Sequence, residues 1–576
     1  MNNRGGIFAF FLILFGSAIV FLQIHSMLQA DRFHKALEKF VDNLIETESP
    51  AGIGESVDEE GSGDWLIWSL SAEPGTLNPM HTSAGVYTMW VVKGYVSNNI
   101  FEGLLKYDID EMRLKPHLAE SYNISNDGLE ITFKLRDDIH FSDGVPITTD
   151  DVIFTYETIV DPNIDAASVA SYYEDVEKVV KISDREVKFV MKRPYFKSLE
   201  VACLDTTGVM PKHIYQFDDP QEFNDRISNP IGSGPYVFEK WNVGQEIVLR
   251  RNENYWGKKP KLKKIVYRII LNNTAAIQAM RSGEIDFVRP LPDQYFDLAR
   301  DEEFKKDIQM ISYWTPFVGY FWIGYNQDRP FFRDRKVRLA LTHIVDREAI
   351  VKSLLKVPDA EVPTGPFYIK GRQSDRTIKP WPYDPEKAKR LLDEAGWVDT
   401  DGDGIRDKDG VPFRFKYMIV SGTYLHDQIV KLVKDQAAKV GIDIIAEPYE
   451  WSVFQQRLLD RNFDAVNLAW HGVVHEDPYQ IWHSSQIGGR GSNYVGFDVP
   501  LADHFIEEAR KTLNERDRNK LYHRFHRIIH EQQPYTFIYT RPEQRLLHKR
   551  FKNVKTHAMG LNIHEWYVPK EKQKYK

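Results

Sequence analysis

The run Tyr320-Phe321-Trp322-Ile323-Gly324-Tyr325 restricts the fold of this chain more than any other stretch. Aromatic and β-branched residues in such density form a strand. The chain then passes through Asn326, Gln327, Asp328, Arg329 and Pro330, which favour turns, into Val337, Leu339, Ala340, Leu341, Ile344 and Val345 at helical spacing. A strand that feeds a helix in the middle of 576 residues has more than one core to serve, because that length exceeds a single typical core and predicts two or three domains.

A net charge of −8 is mild for this length and no Lys/Arg-rich block occurs, which argues against nucleic acid as the main partner. The 13% of aromatic residues suits sugar or peptide clefts as well as cores. Cys203 is the only cysteine, so neither an intrachain disulfide nor a Cys-based zinc site can form.

Asn2, Asn3 and Arg4 precede residues 5–22, an almost wholly apolar run without a charge, which is a signal peptide or a signal anchor. No cysteine follows it closely, so a lipid-attachment signal is excluded. A small-residue cleavage site is poorly formed around Ser26 to Ala30, and an uncleaved single-span anchor over residues 1–30 is the expectation. Phe33, Leu37, Phe40, Val41 and Leu44 then recur as one face of an amphipathic helix, and an acidic Gly/Ser-rich tether completes residues 31–63. The globular body begins near Trp65, outside the membrane.

Strands are expected at 65–70, 130–135, 186–190, 413–419, 442–447, 465–470 and 536–539, and helices at 149–159, 424–440, 501–513 and 516–530. Asp384 as cap, Pro385 in the first turn and Gly396 as stop frame a further helix. The Asn229 to Pro235 punctuation marks a domain boundary just before it.

Several motifs occur in a fixed order: Leu77-Asn78-Pro79, Ile100-Phe101-Glu102-Gly103-Leu104, Phe141-Ser142-Asp143-Gly144, Gly232-Ser233-Gly234-Pro235-Tyr236, Asn254-Tyr255-Trp256, Ser282-Gly283-Glu284-Ile285-Asp286 and Leu392-Asp393-Glu394-Ala395-Gly396-Trp397. In this order and spacing they resemble the extracellular solute-binding protein family 5, the oligopeptide- and dipeptide-binding type that serves ABC importers. The resemblance runs from about Trp65 to the C-terminus. It implies an α/β, two-lobed periplasmic-binding-protein fold of type II, in its large three-domain variety, with two crossover hinge strands at residues 320–326 and 534–540. Lobe 1 would comprise residues 64–107, 228–323 and 536–576, with an accessory domain at 108–227, and lobe 2 residues 324–535. Ligand bound between the lobes would stabilise the closed form by touching both.

The resemblance also implies a cleft lined by Ser83 and Tyr87 in the loop after Leu77-Asn78-Pro79, by Tyr325 and Asn326 on the outward crossover, and by the loop after Trp470. A peptide terminus needs a fixed counter-charge, since a buried unpaired ion is costly. Peptide binders of the family carry an Asp shortly after the Trp, where this chain has Val473 or Val474. Glu476 or Asp477 takes that part if the loop is shifted, although Asp477 before Pro478 also suits a turn or helix start. Trp451, Trp470 and His471 fit a cleft wall or, equally, core beside the hinge.

His471, His475, Glu476 and His483 have the chemistry of nickel or zinc ligands, but Gly472, Val473 and Val474 oppose a helix across the first two, and their spacing fixes no geometry. Asp399, Asp401, Asp403, Asp407 and Asp409 resemble a calcium loop, yet Gly410 stands where a bidentate Glu belongs, and an Asp-Gly-rich hairpin explains the pattern as well. No metal or cofactor is assigned. His523, His526 and His530 share a helical face opposite Leu521, Phe525 and Ile528, and exposure to solvent is expected for them.

Motifs of nucleotide hydrolases, zinc proteases and serine hydrolases are absent from the sequence. The expected function is a membrane-tethered extracytoplasmic binding protein, not an enzyme. It would capture a small solute, peptide first and oligosaccharide second, and present it to an ABC permease. An envelope hydrolase acting on peptide or glycan and a tethered solute sensor are the alternatives.

Overall fold

Alternation along Trp65–Leu70 divides its side chains between two cores: Leu66, Trp68 and Leu70 enter one, Ile67 the other. The strand therefore needs cover on both faces, and in the computed structural model it lies deep inside a seven-stranded sheet. The structure describes residues 62–80, 94, 96, 98–226, 229–489 and 491–575. The expected anchor, the amphipathic helix and the tether up to residue 61 lie outside the described residues, among which no helix is long and apolar enough to cross a membrane.

The sheet order is Ile308–Tyr313, Glu543–His548, Phe287–Val288, Trp65–Leu70, Lys264–Ile269, Glu246–Arg251 and Tyr236–Asn242. Trp65–Leu70 pairs in parallel with Lys264–Ile269, and helix Asn273–Arg281 covers the face that holds Ile67 and Val266. Buried Arg550 ties the start of the body to its end. It bonds Asp64, donates to Asp286 at 2.7 and 2.9 Å and to Trp65 O at 2.8 Å, while Asp64 accepts from the backbone of Lys574 and Tyr575.

The second sheet has five strands in the order Asp443–Tyr449, Arg414–Val420, Ala465–Trp470, Tyr320–Tyr325 and Tyr535–Tyr539. Tyr320–Tyr325 is buried at every position: Phe321, Ile323 and Tyr325 face one core, Tyr320 and Trp322 the other. Helices Arg335–Ile344, Pro385–Glu394 and Tyr424–Ala438 close the first face, and Trp451–Leu459, Pro500–Lys511 and Glu515–Gln532 the second. Asp384 caps its helix by accepting from Lys387 N at 2.9 Å, with Pro385 in the first turn, as the sequence predicts. Both crossover strands lie wholly in this sheet, antiparallel neighbours of one another, so the change of sheet takes place in residues 314–319 and 540–542.

A third, antiparallel sheet, Ala119–Ile124, Glu130–Leu135, Glu186–Met191 and Val176–Ser183, packs helix Thr149–Val160 onto its apolar side and shares a core with the seven-stranded sheet.

One expectation is overturned. His526 is 1% exposed, bonded to Thr364 Oγ1 at 3.0 Å and accepting from Asp375 N at 3.1 Å, and His530 stacks on Trp381 at 4.9 Å. The apolar face of helix Glu515–Gln532 does meet the sheet, but the loop around residues 364–381 covers the histidine face as well. Burial holds both imidazoles down to about 4, so they are neutral.

Candidate functional site

The two connections between the large sheets are pinned by glycine. A Cβ on Gly319 would stand 1.4 Å from Trp470 O, and one on Gly472 2.1 Å from Pro316 O, so the outward connection rests directly on the end of strand Ala465–Trp470. The return connection joins them: Thr540 Oγ1 donates to Gly319 O at 2.7 Å, and Thr540 and Glu361 exchange backbone bonds at 2.8 and 2.9 Å. Beside these strands lies a small cavity of about 20 Å³, walled by Val318, Tyr320, Phe367, Gln373, Val473 and Glu476.

Gln373 fixes the loop that carries Glu476. Its side chain accepts from Glu476 N at 2.8 Å and donates to Glu476 O at 2.7 Å, a two-point clamp on the backbone. The Glu476 carboxyl makes no hydrogen bond or ion pair among the described residues. Burial pushes it up to about 7, Asp477 and Glu200 add to the push, and Lys197 opposes it. Burial alone would pull the Lys197 ammonium down, yet Glu200, at 3.2 Å, together with Glu476 and Asp477, holds it up. Lys197 is matched by Glu200 and Asp477 by Arg510, so Glu476, when ionised, is the carboxylate here with no paired cation among the described residues.

Asp477, the acid the sequence placed in the cleft, is occupied. It accepts from Arg510 Nε at 2.9 Å and Tyr195 OH at 2.7 Å, and its other oxygen caps Tyr479 N at 3.2 Å. Tyr325 and Asn326, expected in the cleft, are each 2% exposed. Tyr325 OH pairs with Thr536 Oγ1 at 2.9 Å at the end of a strand covered on both faces, and Asn326, just beyond that strand, donates through Nδ2 to the carbonyls of Arg461 and Phe463, so both serve the interior. Trp470 is half-buried in a stack with Trp322 and Tyr494, each 6.0 Å away, beside the cavity but not in its wall. Trp451 is 43% exposed against Phe454, also outside that wall. His471 is exposed, and desolvation together with the nearby Arg289 charge lowers its imidazole below the ordinary value. Ser83 and Tyr87 lie outside the described residues. The six of these positions among the described residues do not gather around one cavity.

His483 bonds Ser485 and Glu507, away from His471 and His475, and no metal set forms from them. Asp399, Asp401 and Asp403 do converge, exposed, with carboxylate oxygens within 4.8 Å of one another, and their bonds go to the loop's own backbone. Sequence reasoning missed Lys197, Tyr195 and Gln373, which approach Glu476 and Asp477 from positions more than 100 residues away, beyond any local pattern.

Comparison with known proteins accords with this geometry. The model for bacterial extracellular solute-binding proteins, family 5 (middle region), matches residues 113–492. The oligopeptide-binding protein AppA of Bacillus subtilis is 32% identical over 518 residues, covering 88% of this chain and 92% of that protein. Its solved structure with a nonapeptide superposes with a TM-score of 0.73 at 31% identity, over 89% of this chain and 100% of that one. NikZ from Campylobacter jejuni, solved with Ni(L-His), superposes with a TM-score of 0.73 at 27% identity, over 88% and 99% of the respective chains.

Proposed function

Because this chain belongs to the family 5 bacterial extracellular solute-binding proteins, we propose that it is the substrate-binding component of an ABC importer and encloses a small peptide between two lobes. The observation that carries this reading is the small cavity beside the two connections, with Glu476 in its wall and no partner on the Glu476 carboxyl among the described residues. A peptide α-amino group supplies the missing charge, and Glu476 replaces the acid absent at Val473 and Val474. The relative with a bound nonapeptide supports peptide as the solute class.

Sheet membership supports a lobe 2 that runs from residue 320 to 539, slightly wider than the sequence suggests, with the seven-stranded sheet as lobe 1 and the four-stranded sheet as its accessory domain. Closure then turns on residues 314–319 and 540–542. The uncharged run at 5–22 supports a membrane tether on the extracytoplasmic side. We read the protein as a binder, not a catalyst.

Calorimetric titration with short peptides, free or acetylated at the amino terminus, tests the proposal. Free peptides are expected to bind and to lower the radius of gyration in solution scattering. Equal binding of both sets would remove the α-amino anchor, and binding of neither, with no solute retained in native mass spectrometry, would sink the peptide reading.

A further inference from the structure

The loop between strand Glu186–Met191 and helix Ser198–Ala202 changes core within a few residues. Val201 and Ala202 pack in the core shared by the four- and seven-stranded sheets, whereas Phe196 packs into the core of the five-stranded sheet. Its ring lies edge-on to Tyr522 at 6.2 Å and beneath the Arg518 guanidinium at 4.5 Å, and its backbone N donates to Arg510 O at 3.0 Å. Next to it, Tyr195 OH donates to Asp477 Oδ2 at 2.7 Å, and Arg510 spreads over the Tyr195 ring at 4.8 Å and the Tyr479 ring at 4.2 Å. The socket is built in advance, since Arg518 is fixed by the carbonyls of Thr512 and Leu513 and Arg510 by Asp477, all from the same lobe.

A single aromatic from one body, seated in the core of another and hydrogen-bonded at its rim, can hold only when the two bodies are together. We infer that Tyr195 and Phe196 form a latch that stabilises the closed form of this protein independently of the solute. They are positioning residues, acting through the open–closed equilibrium, and the inference rests on the two-lobed closure proposed above. Ligand affinity scales with the fraction of protein in the competent form, so loss of the latch weakens every solute by one common factor. The same loop brings Lys197 to Glu476, so releasing the latch also withdraws that lysine from the solute's corner.

Single-molecule energy transfer between a dye on the four-stranded sheet and one on helix Tyr424–Ala438 tests this on the full chain without any solute. The unliganded wild type is expected to show a closed population that Phe196→Ala abolishes and Tyr195→Phe reduces. Phe196→Leu, which keeps an apolar plug, is expected to restore most of it. Where a solute binds, Phe196→Ala should raise its dissociation rate about fivefold or more, by the same factor for different peptides. An unchanged distance distribution in folded Phe196→Ala, or in Tyr195→Phe should Phe196→Ala fail to fold, would overturn the latch. An intact latch signal in a protein that binds no peptide would overturn the function proposed above and leave the latch standing.

Discussion

Glu476→Gln should make the protein more stable and a poorer binder at the same time. Burial raises the Glu476 carboxyl from 4.5 to about 7, so the folded state holds a proton there that the unfolded chain has already released. The resulting stabilisation is complete below pH 4.5 and is lost as pH rises through 7. In the ionised form the displacement costs about 3 kcal/mol at 1.36 kcal/mol per pH unit. Glutamine keeps the shape and resembles the neutral acid, and the Gln373 clamp is on the backbone, so the substitution leaves it intact. Urea unfolding at pH 5 and pH 8 measures the effect: the variant should gain up to about 3 kcal/mol over the wild type at pH 8 and little at pH 5. Titration with a free-amino peptide at pH 8 should show at least about a tenfold loss of affinity, the scale of one charge-assisted bond. A variant that is less stable at pH 8 would mean that the carboxylate is already compensated in the folded protein. Unchanged affinity would remove Glu476 from the solute site.

Gly319→Ala places a methyl 1.4 Å from Trp470 O, a backbone atom that cannot yield without breaking the ladder it ends, and a loss of at least about 3 kcal/mol in urea unfolding is expected; a wild-type midpoint would show that the connection moves freely there. Arg550→Ala strands Asp64 and Asp286 in the interior and should cost about 3 to 5 kcal/mol in the same assay, while a change within error would mean that water reaches the pair. His526 is held down to about 4 by burial, so its neutral form contributes stability that is complete above pH 6.5 and lost as pH falls toward 4. His526→Gln should flatten the acid limb of the melting temperature against pH over that window, and an unaltered slope would exclude this histidine as its source.

The strands and helices that carry the two sheets were legible because their signals are local. Trp65–Leu70 and Ala465–Trp470 fall where composition places them, and Asp384, Pro385 and Gly396 frame their helix with groups that the first and last turns require. The histidine face of Glu515–Gln532 was misread because periodicity reports the first layer packed against a helix, and the loop around residues 364–381 adds a second. Tyr325 and Asn326 were placed in the cleft for a related reason: an aromatic strand beside a hinge looks the same whether its ends face ligand or core.

The sequence by itself determined the α/β layering, which follows from period, and through the order of its motifs the family, whose resemblance implied two passages between lobes. It also showed that the usual acid after Trp470 is missing. Only the tertiary structure decided how the charges near that loop are paired. Asp477 is taken by Arg510 and Tyr195, and Glu476 is left desolvated beside Lys197, because pairing depends on distances between residues 195–200, 475–477 and 510 that no spacing along the chain encodes.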